Sequence, residues 1–200
     1  MKIEVIKSHT FKKNTWSGGT TTQFFIYPYS ADYTKLNFDF RLSMATVAIE
    51  KSIFSSLPGV SRKLMVLEGE IILDHENRYQ KKLCRFDIDE FEGDWKTSSV
   101  GTCTDFNLMT KGEITGELVA FESKQDESLE YPVEKNLKYL FIYIYSGKSK
   151  IDINNTLYMI EQGDLLVINT PSVMHIQSIA IKDTTLVFSK IMNKNKYEPI

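Results

Sequence analysis

Asn37-Phe38-Asp39-Phe40-Arg41-Leu42-Ser43-Met44-Ala45-Thr46-Val47-Ala48-Ile49 is the stretch whose reading decides the fold class. Phe38, Phe40, Leu42 and Met44 fall on one face of an extended segment, and Asp39, Arg41, Ser43, Ala45, Val47 and Ile49 on the other. That period of two belongs to a β-strand. The second face is polar where the segment starts and apolar where it ends. Such a gradient suits a β-barrel interior that is wet and open at one mouth and packed dry at the other.

The same alternation recurs outward from this segment. Residues 24–27, 63–67, 70–73, 118–122, 138–145, 150–153, 157–160, 165–168 and 185–191 are short, rich in β-branched and aromatic residues, and separated by turn signals at Gly69, Gly93, Gly147, Asn154-Asn155 and Gly163. Many short strands of this kind predict an all-β sandwich or barrel, and no segment has the spacing of a long amphipathic helix. Tyr139, Phe141, Tyr143 and Tyr145 alternate with Leu140, Ile142 and Ile144, which predicts a central strand buried on both faces. Residues 122–136 are polar, contain Pro132 and lack alternation, so they read as a connecting loop.

A similar device stands on each side of that loop. Leu67-Glu68-Gly69-Glu70 is followed by Glu92-Gly93-Asp94, and Tyr145-Ser146-Gly147-Lys148 is followed by Gln162-Gly163-Asp164. The repeat predicts a duplicated β unit, with residues 1–121 as a first barrel, 122–136 as the connection and 137–200 as a second. The strand, glycine turn, strand, Gly-Asp order resembles the cupin fold. Two cupin-like barrels or jelly rolls packed in one compact unit, a bicupin, are therefore expected, with terminal strands open to exchange between them.

Twenty-four basic and twenty-six acidic side chains leave a formal net charge of −2 over 200 residues, which argues against nucleic acid as a partner. No stretch is long and apolar enough to span a bilayer, and Met1 to Lys7 has no signal-peptide core. A cytoplasmic protein with no membrane partner is expected. Cys84 and Cys103 lack C-x-x-C spacing and read as reduced thiols.

Several chemistries lack their residues. The metal-binding cupin set of an H-x-H pair, a downstream Glu and a later His has no counterpart in His9, His75 and His175, so no metal or other cofactor is expected. Gly163-Asp164 followed by Pro171-Ser172-Val173-Met174-His175 resembles the second cupin motif with one residue missing and the glycine absent. Ser146-Gly147-Lys148-Ser149 is no phosphate loop, because the first glycine of that motif would fall at Ile142 and a strand follows. No G-x-S-x-G elbow is present, neither cysteine is marked as a nucleophile, and no catalytic residue is assigned.

What remains is a set of polar residues inside apolar strand sequence, where an unpaired group costs roughly 1–3 kcal/mol. Thr20 and Thr21 follow Gly18-Gly19, which reads either as a backbone anion cradle or as a plain turn. Arg41 and Ser43 share one strand face, and Asp105 and Asn107 share another. Arg41 or Arg62 can clamp a carboxylate in two-point geometry or pair internally with Asp105.

Trp16 to Gln23, Phe40 to Val47, Phe54 through Arg62 to Glu70, and Gly93-Asp94-Trp95 through Asp105 to Met109 together resemble the HutD/Ves family of cytoplasmic bicupins. The resemblance covers most of residues 1–121 and is looser beyond. It implies a metal-independent protein that binds a small carboxylate, formylglutamate being the candidate, as a regulatory or accessory protein of histidine utilisation. A metal-independent enzyme acting on an acylated amino acid in the same pocket is the alternative. By matching position it implies Thr20, Thr21, Arg41, Ser43, Arg62, Asp105 and Asn107 as ligand-binding residues, with Trp16 as a wall. Gln23 stands where many relatives have an acidic residue. The oligomeric state stays open, a homodimer included.

Overall fold

The computed structural model describes residues 1–172 and 175–194. Val173 and Met174 of the proposed second motif therefore lie outside the described residues. The described chain is built of strands, with short 3-10 turns at Ser8–Thr10 and Tyr33–Lys35. In chain order they are β1 (Lys2–Ile6), β2 (Lys13–Trp16), β3 (Gly19–Tyr27), β4 (Phe40–Val47), β5 (Lys51–Ile53), β6 (Val60–Gly69), β7 (Ile71–His75), β8 (Tyr79–Leu83), β9 (Ile88–Glu92), β10 (Thr97–Val100), β11 (Cys103–Lys111), β12 (Ile114–Ser123), β13 (Ser128–Pro132), β14 (Leu137–Ile153), β15 (Thr156–Glu161), β16 (Leu165–Asn169) and β17 (His175–Asn193). No helix among the described residues is long and apolar enough to cross a membrane.

Contacts divide the chain into two compact units, Phe11–Ile114, and Met1–Thr10 with Thr115–Ile200. The first contains two antiparallel sheets, one ordered β2-β3-β4-β11-β6-β9 and the other β5-β10-β7-β8. Its alternation works as the sequence predicts. Val47, Leu64, Val66, Phe91 and Cys103 from the larger sheet meet Ile71, Leu73 and Leu83 from the smaller one in a dry core. Burying each such side chain stabilises the fold by about 1.5–3 kcal/mol. Both sheets are open, with edge strands at each side, so of the barrel and jelly-roll forms expected the unit takes an open two-sheet one and not a closed barrel.

The second unit is organised by two long strands. β14 and β17 pair along most of their lengths, while β16 pairs residues 139–143 of β14 and β15 pairs residues 148–153. Leu140, Ile142 and Ile144 enter the core, and Tyr139, Phe141 and Tyr143 are buried as well, so β14 is a central strand covered on both faces. Gly147, read from sequence as a turn, is instead a left-handed bulge residue (φ 84°) within this single strand. A Cβ there would stand 2.1 Å from the Asp183 carbonyl oxygen. Gly69, its counterpart at the end of β6, has φ 78° and would place a Cβ 2.3 Å from the Thr102 oxygen. The duplicated device is thus the same backbone feature used twice.

Two boundaries differ from expectation. β1 pairs residue for residue with β16, so the N-terminus belongs with the second unit. The segment 122–136 contains β13, which pairs β17; it is a strand whose alternate residues Leu129 and Tyr131 pack on the core while Ser128, Glu130 and Pro132 are exposed.

Candidate functional site

At the polar end of the first unit's sandwich lies a cavity of about 370 Å³. Strand register builds its floor. Across β3, β4, β11 and β6, Thr21, Ala45, Asp105 and Val66 form one row, and Ser43, Asn107 and Leu64 the next. Arg41 stands opposite Met109, and Met109 opposite Arg62. Side chains two apart on a strand share a face, so these rows gather six polar groups, Thr21, Arg41, Ser43, Arg62, Asp105 and Asn107, at one end. Asn14, Thr15 and Trp16 from β2, Tyr33, and the segment Ser52 to Ser55 complete the wall.

Arg62 is buried at 6% exposure. Its guanidinium lies against two phenyl rings that meet edge to face, 4.9 Å from the Phe54 centroid and 5.1 Å from that of Phe91. Nη2 donates to Asn107 Oδ1 at 3.2 Å, while Nε is buried without an acceptor. Burial lowers its pKa to about 10, so it remains a cation at neutral pH. Arg41, also buried, donates from Nε to Gln23 Oε1 and from Nη1 to Ser43 Oγ, both at 2.8 Å, and stacks 4.3 Å from the Tyr33 centroid. Neither arginine takes part in an ion pair among the described residues.

Asp105 is equally buried. Oδ1 accepts from Asn107 Nδ2, and Oδ2 accepts from the Cys103 thiol at 3.6 Å. Burial pushes its carboxyl up to about 6 against the pull of Arg62 and these donors. Burial, with Asp105 adding to it, pushes the Cys103 thiol up as well, which keeps it protonated and removes it as a nucleophile. No three His, Cys, Asp or Glu side chains converge among the described residues. His75 is spent on Thr97 Oγ1 and Asp89 Oδ2, both at 2.8 Å, and the exposed His175 lies 3.4 Å from Glu130.

With this geometry in view, residues 8–187 match the model of the HutD family. The chain belongs to the HutD family. Similar solved structures include a conserved protein of unknown function from Pseudomonas aeruginosa, at 18% identity and TM-score 0.82, covering 96% of this chain and 100% of that one. HutD from Pseudomonas fluorescens is 19% identical at TM-score 0.71, covering 97% and 100%. An oxalate decarboxylase of Bacillus subtilis is 8% identical at TM-score 0.67, covering 96% and 78%, and supports a cupin-type fold. No curated protein matches the sequence.

In this HutD-family chain the cavity brings together Trp16, Thr21, Arg41, Ser43, Arg62, Asp105 and Asn107. Thr20 is a correction. It pairs with Thr15 and Thr46 one position from Thr21, so the pleat turns it to the opposite face. The Gly18-Gly19 pair is no anion cradle either. A Cβ on Gly19 would fall 1.8 Å from the Thr46 oxygen, so glycine lets β3 approach β4, and the Trp16 ring lies over Gly18. Gln23, Tyr33 and Phe54 were not assigned from sequence. Gln23 shares the alternation of Thr21 and was legible on that ground; nothing local marks Tyr33 or Phe54 as partners for arginine.

Proposed function

We propose that this chain binds a small carboxylate in the cavity of its first unit and serves as a regulatory or accessory protein of histidine utilisation. Formylglutamate is the ligand that family resemblance suggests. Arg62 carries the reading: a buried cation with an unsatisfied Nε and no ion pair among the described residues costs stability unless something supplies an acceptor. A carboxylate fits, since one oxygen can take Nε and the other a terminal nitrogen of the same guanidinium. Gln23 leaves Arg41 without a compensating charge, so a second cation faces the same space. The free cysteines Cys84 and Cys103 fit a cytoplasmic setting.

The test is thermal denaturation with formate, L-glutamate and N-formyl-L-glutamate, on the wild type and on Arg41→Met and Arg62→Met. A ligand at a hundred times its Kd stabilises by about 2.7 kcal/mol, a readily measured rise in Tm. The rise is expected for the wild type and lost in either variant. No response to any of the acids, or an equal response in the variants, sinks the proposal. A carboxyl group held near neutrality favours the alternative of a metal-independent enzyme using Asp105 as acid or base. Conversion of a bound acid, followed by proton NMR, distinguishes the two.

A further inference from the structure

The cavity joins one of its cations, Arg62, to its carboxyl group through one side chain. Arg62 Nη2 donates to Asn107 Oδ1, and Asn107 Nδ2 donates to Asp105 Oδ1. Asp105 therefore has an amide and a thiol as its hydrogen-bonding partners and feels Arg62 through space. We propose that the site takes up its anion together with one proton, held on Asp105. This rests on the carboxylate-binding reading above and adds how that binding is regulated.

The argument is competition for one cation. Arg62 supplies the attractive charge that acts on Asp105, and it is also the group with a free donor for a ligand. An anion seated on Arg62 neutralises that attraction and sets a second negative charge in the same buried space. Two carboxylates close together in a low dielectric share a proton, because both cannot ionise cheaply. Protonation also turns Asp105 from an acceptor into a donor able to reach the ligand.

The other groups facing this space do not offset the effect. Arg41, on β4, is engaged by Gln23, Ser43 and the Tyr33 ring. Cys103, on the same strand as Asp105, stays a neutral thiol. His75 on β7 and Asp89 on β9 do not line the cavity and are bonded to each other. The Asp105 carboxyl already sits near 6 without ligand, within reach of physiological pH.

Isothermal titration calorimetry of the intact protein with formate, L-glutamate and N-formyl-L-glutamate, between pH 5.5 and 8, tests the proposal. The carboxyl groups of all three probes are ionised throughout that range, so any proton taken up is the protein's. Affinity is expected to be about tenfold or more higher at pH 5.5 than at pH 8. Between the two extremes, heats in buffers of different ionisation enthalpy should report net proton uptake. Asp105→Asn should bind with a flat pH profile and no uptake. Should that variant fail to fold, the wild-type buffer series decides alone. Binding with equal affinity across the range and no uptake overturns the proton linkage and leaves the carboxylate site standing. An uptake that persists in a folded Asp105→Asn also overturns it. No binding of any probe at any pH removes the underlying reading.

Discussion

Burial holds the Asp105 carboxyl at about 6, where an exposed aspartate titrates near 3.8. The sign for stability follows directly. Below the lower value the group is neutral folded and unfolded and contributes nothing. Between the two values the unfolded chain has released its proton while the folded chain keeps it, so stability falls as pH rises, and above about 6 the full penalty is present. That penalty is on the order of 3 kcal/mol. Asp105→Asn, which keeps an oxygen to accept from Asn107, should therefore be more stable than the wild type at pH 7.5 and lose that advantage near pH 4. Urea denaturation at the two pH values checks this, and an unchanged difference would show the carboxyl is not the source. Arg41, Ser43, Asp105 and Asn107 were legible as facing residues because a period of two leaves no freedom once a strand is assigned. Thr20 was implied together with its neighbour Thr21 by family resemblance, and a pleat does not turn two successive side chains to one face. Phe54 comes from a segment at the sheet edge, and its contact with Arg62 depends on how two sheets meet, which no local pattern records.

Glycine shows the same limit at the level of elements. Gly147 was read as a turn because glycine separates most strand candidates in this chain, yet residues 137–153 form one strand. A positive φ serves a tight turn and a bulge equally well, and only the pairing partner decides between them. Here the partner is β17, whose own 19 residues run past the bulge and hold the two halves of β14 in line. β13 and β5 escaped for a different reason: both are short, with too few apolar residues to establish a period of two. Gly147→Ala combines a left-handed backbone with a Cβ 2.1 Å from the Asp183 carbonyl oxygen, and that backbone cannot yield as a flexible side chain would. It should lower stability by at least about 2 kcal/mol, read as a shift in the urea midpoint. Gly112→Ala, with a positive φ but open space around the new methyl, is the control and should cost less. Equal costs would mean that conformation, not close approach, dominates.

Across the whole molecule, the first ten residues belong to a unit whose remainder begins more than a hundred residues later. β1 covers β16 through five paired positions, Lys2 to Ile6 against Asn169 to Leu165, and sends Ile3 and Val5 to the core. Beyond it, Ser8 N–H and the Lys7 ammonium bond Asp164 at 3.0 and 2.7 Å. Burial works against ionisation of Asp164, but these donors and the Glu161 N–H outweigh it and hold its pKa below the usual carboxylate range. A chain that begins at Ser8 loses the strand and the ammonium together. It uncovers a β16 edge whose side chains are Leu165, Leu166, Val167 and Ile168, and an apolar, unpaired edge of that kind recruits other strands. The truncated protein should melt earlier and self-associate, seen by light scattering after size exclusion, and its amide exchange should accelerate first in β14 and β16. Adding a synthetic peptide of residues 1–7 should restore part of the protection, because the vacated ladder is complementary to that sequence. A truncated chain that stays monomeric with the wild-type melting temperature would show that β16 does not depend on its N-terminal partner.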